Sequence, residues 1–144
     1  MTTCRPRWES AKSQIRLAPG GSSACPAACK AEAEKNKWQV AIAILDDGGY
    51  LVHFDRMDGV GKASAEVAVG KARTSALTGR PSKFFEDRVK ERPAFVGFPA
   101  GLLIQGAVPI KHENETLGAI GVSGVQSHED EQIAKAGVAA FNAR

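Results

Sequence analysis

The feature that most constrains the fold is an apolar run that leads directly into a turn signal and an alternating segment. Residues 39–46 are apolar on both alternating sets of positions, which is typical of a central strand covered on both faces. Asp47-Gly48 favours the positive φ angles of a tight hairpin turn. Apolar residues then alternate with others over residues 50–55. The sequence therefore predicts two antiparallel strands.

Helical signals lie on either side of this hairpin. Residues 27–37 are rich in Ala, Glu and Lys, and Cys25-Pro26 precedes them, so a short helix should begin there. Between residues 61 and 77, small apolar residues recur at helical spacing and predict a second helix that packs closely. Ser127, followed by acids in the first turn, predicts the cap of a final helix.

A second hairpin is predicted between the second and the final helix. Residues 102–111 and 117–123 form its strands, and Asn114 suits the left-handed backbone angle of the turn. The order of elements favours an α+β domain of the broad α/β class. In this arrangement an antiparallel sheet of about five strands is flanked by helices.

Length and charge further limit the class of protein to which this chain can belong. The 144 residues fit one domain, and the 19 Lys and Arg are interleaved with 16 Asp and Glu, which argues against a nucleic-acid partner. Because no apolar stretch suits a signal peptide or a membrane span, we expect a cytoplasmic protein. Pro and Gly interrupt residues 1–30, which we assign to an irregular N-terminal segment, leaving residues 31–144 as the domain.

A cluster of polar residues ends the second predicted strand. Arg56, Met57 and Asp58 follow Asp55, so a guanidinium lies between two carboxylates with a thioether beside it. The simpler interpretation is a salt-bridged turn. The functional interpretation is an arginine clamp on an acidic ligand.

The entrance to the final helix is a second candidate site. Ser123 and Gly124 lead into it, and its free backbone N–H groups could receive a carboxylate or phosphate, although many capped helices bind nothing there. Gly118, Gly121 and Gly124 are spaced differently from a dinucleotide-binding motif. Close packing of the strand is the favoured interpretation of these glycines.

Four of the six phenylalanines lie in the stretch 81–99, which prolines interrupt and where we predict no regular core element: Phe84, Phe85, Phe95 and Phe98. They could complete the domain core or meet a neighbouring subunit, which we rank first. They could also cover a flat, apolar ligand.

The candidate metal ligands are few. Cys25 and Cys29 lie one helical turn apart, and Cys25-Pro26 is a dipeptide sometimes found at a thiolate haem ligand, although buried structural cysteines are more common. The histidines His53, His112 and His128 are scattered, and surface or hydrogen-bonded roles are the simplest for each.

Several linked motifs follow one another in consistent order between residues 31 and 144: Asp46-Asp47-Gly48-Gly49-Tyr50-Leu51, Arg56-Met57-Asp58-Gly59, Lys71-Ala72-Arg73-Thr74, Gly118-Ala119-Ile120-Gly121-Val122-Ser123-Gly124, Asp130 and Ala134-Lys135-Ala136-Gly137. Together they resemble the GlcG/HbpS haem-binding family, and also the C-terminal domain of PduO-type corrinoid adenosyltransferases. The resemblance implies a profilin-like or PAS-like sandwich, assembly into homo-oligomers, and binding of haem or a related tetrapyrrole with haem degradation or redox sensing.

The resemblance also bears on the iron ligand. In haem-binding relatives this ligand is a histidine on the N-terminal helix, whereas this chain has no histidine before His53. Cys25 lies near the region where relatives place the ligand. Cys25 and His53 are therefore the candidate metal ligands here.

Three functions remain open. The first is a haem-binding homo-oligomer whose ligand contacts Arg56, Met57, Asp58, Ser123, Gly124, Phe95 and Phe98. The second is an enzyme or accessory factor that holds a small hydroxy or keto acid by its carboxylate. The third is a structural assembly module. No catalytic residue is assigned, and the sequence leaves open whether the protein is an enzyme.

Overall fold

The computed structural model describes residues 24–143, which form four α-helices, one 3-10 helix and a four-stranded sheet. In chain order the elements are α1 (Ala24–Lys35), β1 (Ala41–Asp46), β2 (Leu51–Arg56), α2 (Ser64–Thr78), α3 (Ser82–Glu91), the 3-10 helix (Pro93–Gly97), β3 (Ala107–His112), β4 (Glu115–Ser123) and α4 (Ser127–Asn142). None of these helices is both long and apolar enough to cross a bilayer.

The sheet has the order β2-β1-β4-β3, and every neighbouring pair is antiparallel. This confirms the predicted class, an antiparallel sheet flanked by helices, with four described strands instead of about five. Residues 102–106, predicted to begin the third strand, form a loop instead. The Leu102 N–H donates to the carbonyl of Gly70 at 3.0 Å, so the start of this segment is attached to helix α2, and the segment reaches strand β4 only at Gly106, whose carbonyl accepts the Val122 N–H at 3.0 Å.

Both predicted hairpins are present, but the first turn differs in detail. Its positive φ is at Gly49 and not at Asp47-Gly48, because one Asp46 carboxylate oxygen accepts the N–H groups of Gly48 and Tyr50 at 2.9 and 3.0 Å. These bonds hold a longer turn beside an irregularity in the β1–β2 register. In the second turn Asn114 adopts φ 67°, as predicted.

One face of the sheet is covered by two helices. Helices α1 and α4 pack against each other, and a cluster of branched aliphatic side chains lies between them and the sheet. Close approach depends on Gly137 of α4, because a Cβ there would collide with the sulfur of Cys29. The largest buried side chains of this face are Val40, Ile42, Ile44, Ile110, Leu117, Ile120, Val122 and Ile133.

Among the described elements, α2 covers most of the opposite face. Apart from Leu45, alanines make up its core: Ala41, Ala43, Ala68, Ala72, Ala76 and Ala119. At Gly121 an added Cβ would collide with the carbonyl of Ala68 and with Ala72, so the strand and the helix touch through backbone. The predicted close packing around this glycine is confirmed.

Two predicted helix boundaries need correction. Helix α1 begins at Ala24, so residues 24–30, assigned to the irregular segment, are helical, with Pro26 in the first turn where no N–H partner is needed. Residues 1–23 lie outside the described residues, and where the domain begins stays a prediction. Helix α4 is capped by Gln126 and not by Ser127, since the Glu129 carboxylate accepts the Gln126 N–H at 3.0 Å.

The stretch 81–99, predicted to lack a regular core element, contains the ten-residue helix α3. Pro81 and Pro93 lie outside its ends and do not interrupt it. Between them, Lys83 and Asp87 form an i, i+4 ion pair at 3.0 Å. Phe85 is buried beneath this helix.

Candidate functional site

The first candidate group lies at one end of the sheet. Arg56 pairs with Ala41, and Ala41 pairs with Ser123, so these residues form one row across three strands. Directly paired residues share a face, and Arg56 and Ser123 are two strand spacings apart, roughly 10 Å between Cα atoms. Arg56 is exposed and Ser123 is buried. The structure therefore brings these two predicted residues to the same end and the same face.

Met57 and Asp58 continue from this row in different surroundings. The Met57 N–H donates to the carbonyl of Val40 at 3.0 Å, and its half-buried side chain packs on the aliphatic core. Asp58 is exposed. Met57 thus packs on the core with part of its side chain, and whether Arg56, Met57 and Asp58 contact a ligand stays a prediction.

The entrance to α4 is already occupied by the chain's own carboxylates. Asp130 accepts the Val125 N–H at 3.2 Å, and Glu129 accepts the Gln126 N–H at 3.0 Å. The backbone of Gly124 packs against Gln39, where an added Cβ would collide with the carbonyl oxygen. Two donors that the prediction offered to an anion are therefore bonded internally, and the nearby acids disfavour a further carboxylate.

A buried ion pair beside this entrance was missed by sequence reasoning. The Lys71 ammonium lies 2.8 Å from the Asp130 carboxylate, and their side chains are 3% and 2% exposed. Lys71 also donates to the carbonyl of Val122 at 3.2 Å. Burial raises the pKa of Asp130, while the Lys71 ammonium and the Val125 N–H oppose that rise. The pair joins α2 to α4 past the end of β4.

The phenylalanines form one aromatic cluster on α3 and the 3-10 helix. Phe85 stacks on Phe98 with centroids 5.4 Å apart, and Phe95 lies 6.1 Å from Phe98. Phe84 meets the edge of Phe85 at 5.2 Å, and the Arg80 guanidinium lies 4.5 Å above the Phe84 ring. This cluster includes Phe95 and Phe98, both predicted as ligand contacts.

Two recesses open beside the 3-10 helix. The first has a volume of about 330 Å³ and is lined by Arg92, Ala94, Phe95, Gly97, Phe98 and Pro99. The second, of about 420 Å³, is mainly apolar and is lined by Glu86, Val89, Lys90, Val96, Gly101, Leu102, Leu103 and Ile104. The surface around the two recesses is hydrophobic, because it carries the exposed side chains of Val96, Phe98, Leu102 and Ile104.

The predicted ligand contacts therefore fall into two separate groups. Helix α3, which carries the aromatic cluster with the 3-10 helix, packs against α2 and the edge strand β3. Arg56 ends β2, the opposite edge strand, and Met57 and Asp58 follow it. The sequence analysis predicted that one ligand contacts both groups, and it did not predict that they lie apart. Arg92, which the sequence did not single out, is the cation that lies with Phe95 and Phe98.

The two candidate metal ligands, Cys25 and His53, differ in burial. Cys25 is 3% exposed and lies within the aliphatic core. Burial raises the pKa of the neighbouring Cys29 thiol to about 12, and the proximity of Cys25 adds to this rise. Cys29 is thus a neutral thiol at ordinary pH. His53 is half-buried on β2, and its Nε2 atom is buried without a hydrogen-bond partner within the described residues. The roles of Cys25 and His53 as ligands stay predictions.

Comparisons with known proteins match this fold and these motifs. The family model for haem degrading protein HbpS-like matches residues 23–139, and the chain belongs to this family. It is 41% identical to protein GlcG of Escherichia coli strain K12 over 113 residues, which cover 78% of this chain and 84% of GlcG. These findings confirm the resemblance drawn from the linked motifs.

Solved structures of other proteins have a similar fold. A double mutant of HbpS from Streptomyces reticuli has a TM-score of 0.81 and 29% identity, with 88% of this chain and 87% of that chain covered. The complex of PduOC with heme also has a TM-score of 0.81, with 22% identity and coverage of 89% and 96%. The second likeness establishes the fold alone.

Proposed function

We propose that this protein binds haem or a related flat tetrapyrrole in the recesses beside the 3-10 helix. The observation that carries the proposal is the placement of Phe95, Phe98 and Arg92 around one open recess. It is supported by membership of the HbpS-like family, which is described as haem degrading, and by the heme bound to PduOC.

The recess suits a large planar ring. Cofactor pockets are mostly apolar and occupy about 300–1,000 Å³, a range that includes both recesses. The aromatic faces of Phe95 and Phe98 offer stacking surface, and the side chains of Leu102 and Ile104 extend the apolar area next to them. A macrocycle covering this region would remove exposed apolar side chains from water.

The charges of the recess suit the carboxylates of such a ligand. Arg92 lines the first recess and Lys90 lines the second. A guanidinium can hold a propionate carboxylate in a bidentate pair, and both side chains lie at the solvent side where propionates would be hydrated. Glu86 also lines the second recess, which makes the Arg92 side the favoured one for a carboxylate.

The recess does not fit the iron of haem as well as it fits the ring. Its lining residues include no His, Cys or Met, and Cys25 and His53 belong to other parts of the described domain. We therefore propose recognition through the ring and the carboxylates. Haem degradation or redox sensing would need bound iron and a reductant in addition to these contacts. We further propose that the protein acts in the cytoplasm as a homo-oligomer.

Parallel titrations with haemin and with iron-free protoporphyrin IX test the proposal. We expect both to bind saturably with similar affinity, since the recess supplies no iron ligand. Phe95→Ala should weaken both by about tenfold through lost stacking, and Arg92→Gln by several-fold. Leu77→Ser, which removes an exposed apolar side chain from the outer side of α2, is the matched control and should change neither.

A different pattern would overturn this site. If haemin alone bound, and Cys25→Ala or His53→Ala abolished its Soret band, the ligand would be held through iron elsewhere in the domain. If neither porphyrin bound, a thermal-shift screen of small hydroxy and keto acids would test the carboxylate alternative, with Arg56→Gln as its variant.

A further inference from the structure

Strand β2 is an edge of the described sheet and carries an exposed apolar surface. Within the sheet, β2 has a neighbouring strand, β1, on one side only. Helix α2 packs against β1, β3 and β4. Leu51 and Phe54 of β2 are 54% and 37% exposed as a result. The outward backbone groups of an apolar edge strand are a template for pairing with another strand.

The register determines which backbone groups face outward. The Met57 N–H donates to the carbonyl of Val40, so Val40 and Met57 form a hydrogen-bonded pair. Hydrogen-bonded and non-hydrogen-bonded pairs alternate along an antiparallel ladder, so Asp55 also bonds toward β1. The N–H and C=O groups of Phe54 and Arg56 consequently point away from β1, toward the open edge.

We propose that β2 pairs antiparallel with β2 of a second copy of this chain, with Phe54 opposite Phe54 at a two-fold axis. The outward N–H and C=O of Phe54 would then exchange two hydrogen bonds with the same groups of the second copy. Such an interface is isologous and joins two four-stranded sheets into one. The inference rests on the proposed assembly into homo-oligomers and names the surface that makes it.

Charge selects this register over its neighbours. With Phe54 on the axis, His53 lies opposite Asp55 of the second copy. Because of the two-fold symmetry, this pair occurs twice in the interface. Shifting the axis to Asp55 places two carboxylates directly opposite each other, and like charges directly opposite are destabilising. Shifting it to His53 leaves the two imidazoles opposite each other, with no carboxylate across the axis. His53 and Asp55 pair with Ile44 and Ile42 within the subunit, so both lie on the same face of the sheet.

The partner is a second copy because the edge complements itself. A foreign strand would need matching charges at two positions, whereas the sequence of β2 supplies an acid and a histidine two residues apart, at equal distances from Phe54. The apolar surface of Phe54 would meet the same surface across the axis, and aromatic cross-strand pairs stabilise sheets.

A symmetric disulfide tests the register. Cys25 and Cys29 are buried. If Cys4 is first replaced by Ser, a cysteine introduced by Phe54→Cys would therefore be the reactive thiol of the described domain. At the axis its Cα atom would lie about 5.5 Å from its counterpart, within the range of a disulfide. The matched control, Arg56→Cys in the same strand, places the two thiols about 13 Å apart.

We expect Phe54→Cys to form a covalent dimer on mild oxidation and Arg56→Cys to remain uncrosslinked. Asp55→Lys should weaken association several-fold in sedimentation experiments, while Asp55→Glu retains it. An oligomer in which Phe54→Cys fails to crosslink would overturn this interface and leave the proposed assembly standing. A monomer at all concentrations would overturn both, and porphyrin binding, measured on the same samples, would report on the ligand site separately.

Discussion

The two faces of the sheet are built differently. Beneath α1 and α4 the core consists of branched aliphatic side chains, such as Ile42, Ile120 and Ile133. Beneath α2 it consists chiefly of alanines, and the strand and helix touch through backbone at Gly121. The first face buries much more apolar area and so contributes more to stability.

The difference has a consequence for where partners can bind. Among the described elements, two helices cover the aliphatic face, whereas α2 covers the centre of the alanine face and leaves apolar side chains on both of its flanks. Leu51 and Phe54 lie on the β2 flank, and Phe98 and Leu102 lie on the flank beside α3. Both proposed binding surfaces, one for a second copy and one for a porphyrin, are on these flanks.

The largest expected effect comes from the ion pair that connects the two faces. Asp130→Ala leaves the Lys71 ammonium buried without its carboxylate, so the free energy of unfolding should fall by about 3–5 kcal/mol in a urea titration. The double variant Lys71→Met/Asp130→Leu removes both charges and should cost less than Asp130→Ala alone. A loss below about 1 kcal/mol for Asp130→Ala would mean that the faces are joined by other contacts.

Packing at the alanine face gives the next effect. Gly121→Ala forces the strand and α2 apart and should cost about 1–3 kcal/mol, more than the roughly 0.5–1.5 kcal/mol of Ile120→Val on the aliphatic face. Chemical denaturation of both variants measures the contrast. If Gly121→Ala were neutral, the backbone contact would not control the spacing of this layer.

The smallest effect is expected on the flanks. Val96 is 75% exposed, so Val96→Ser should change the free energy of unfolding by less than about 0.5 kcal/mol. The same variant should weaken porphyrin binding measurably because Val96 lines the second recess. A clear loss of stability would place this residue in the core instead of at a binding surface.

Much of the fold could be predicted from local patterns. The apolar run of β1, the alternation of β2 and the small-residue periodicity of α2 each reflect a face that a single element must bury. Helix α3 was not predicted because Pro81 and Pro93, which lie just outside its ends, are typical of an irregular segment. The Lys83–Asp87 pair at helical spacing was the signal that could have identified it.

The candidate site was less predictable. The sequence by itself determined the strands, most of the helices and the family, because periodicity and short motifs depend on neighbouring residues. Only the tertiary structure brought Lys71 to Asp130, 59 residues away, and set Arg56 and Phe95 at opposite edges of the sheet. Strand order and helix placement decide such long-range contacts, and no local pattern in the chain encodes them.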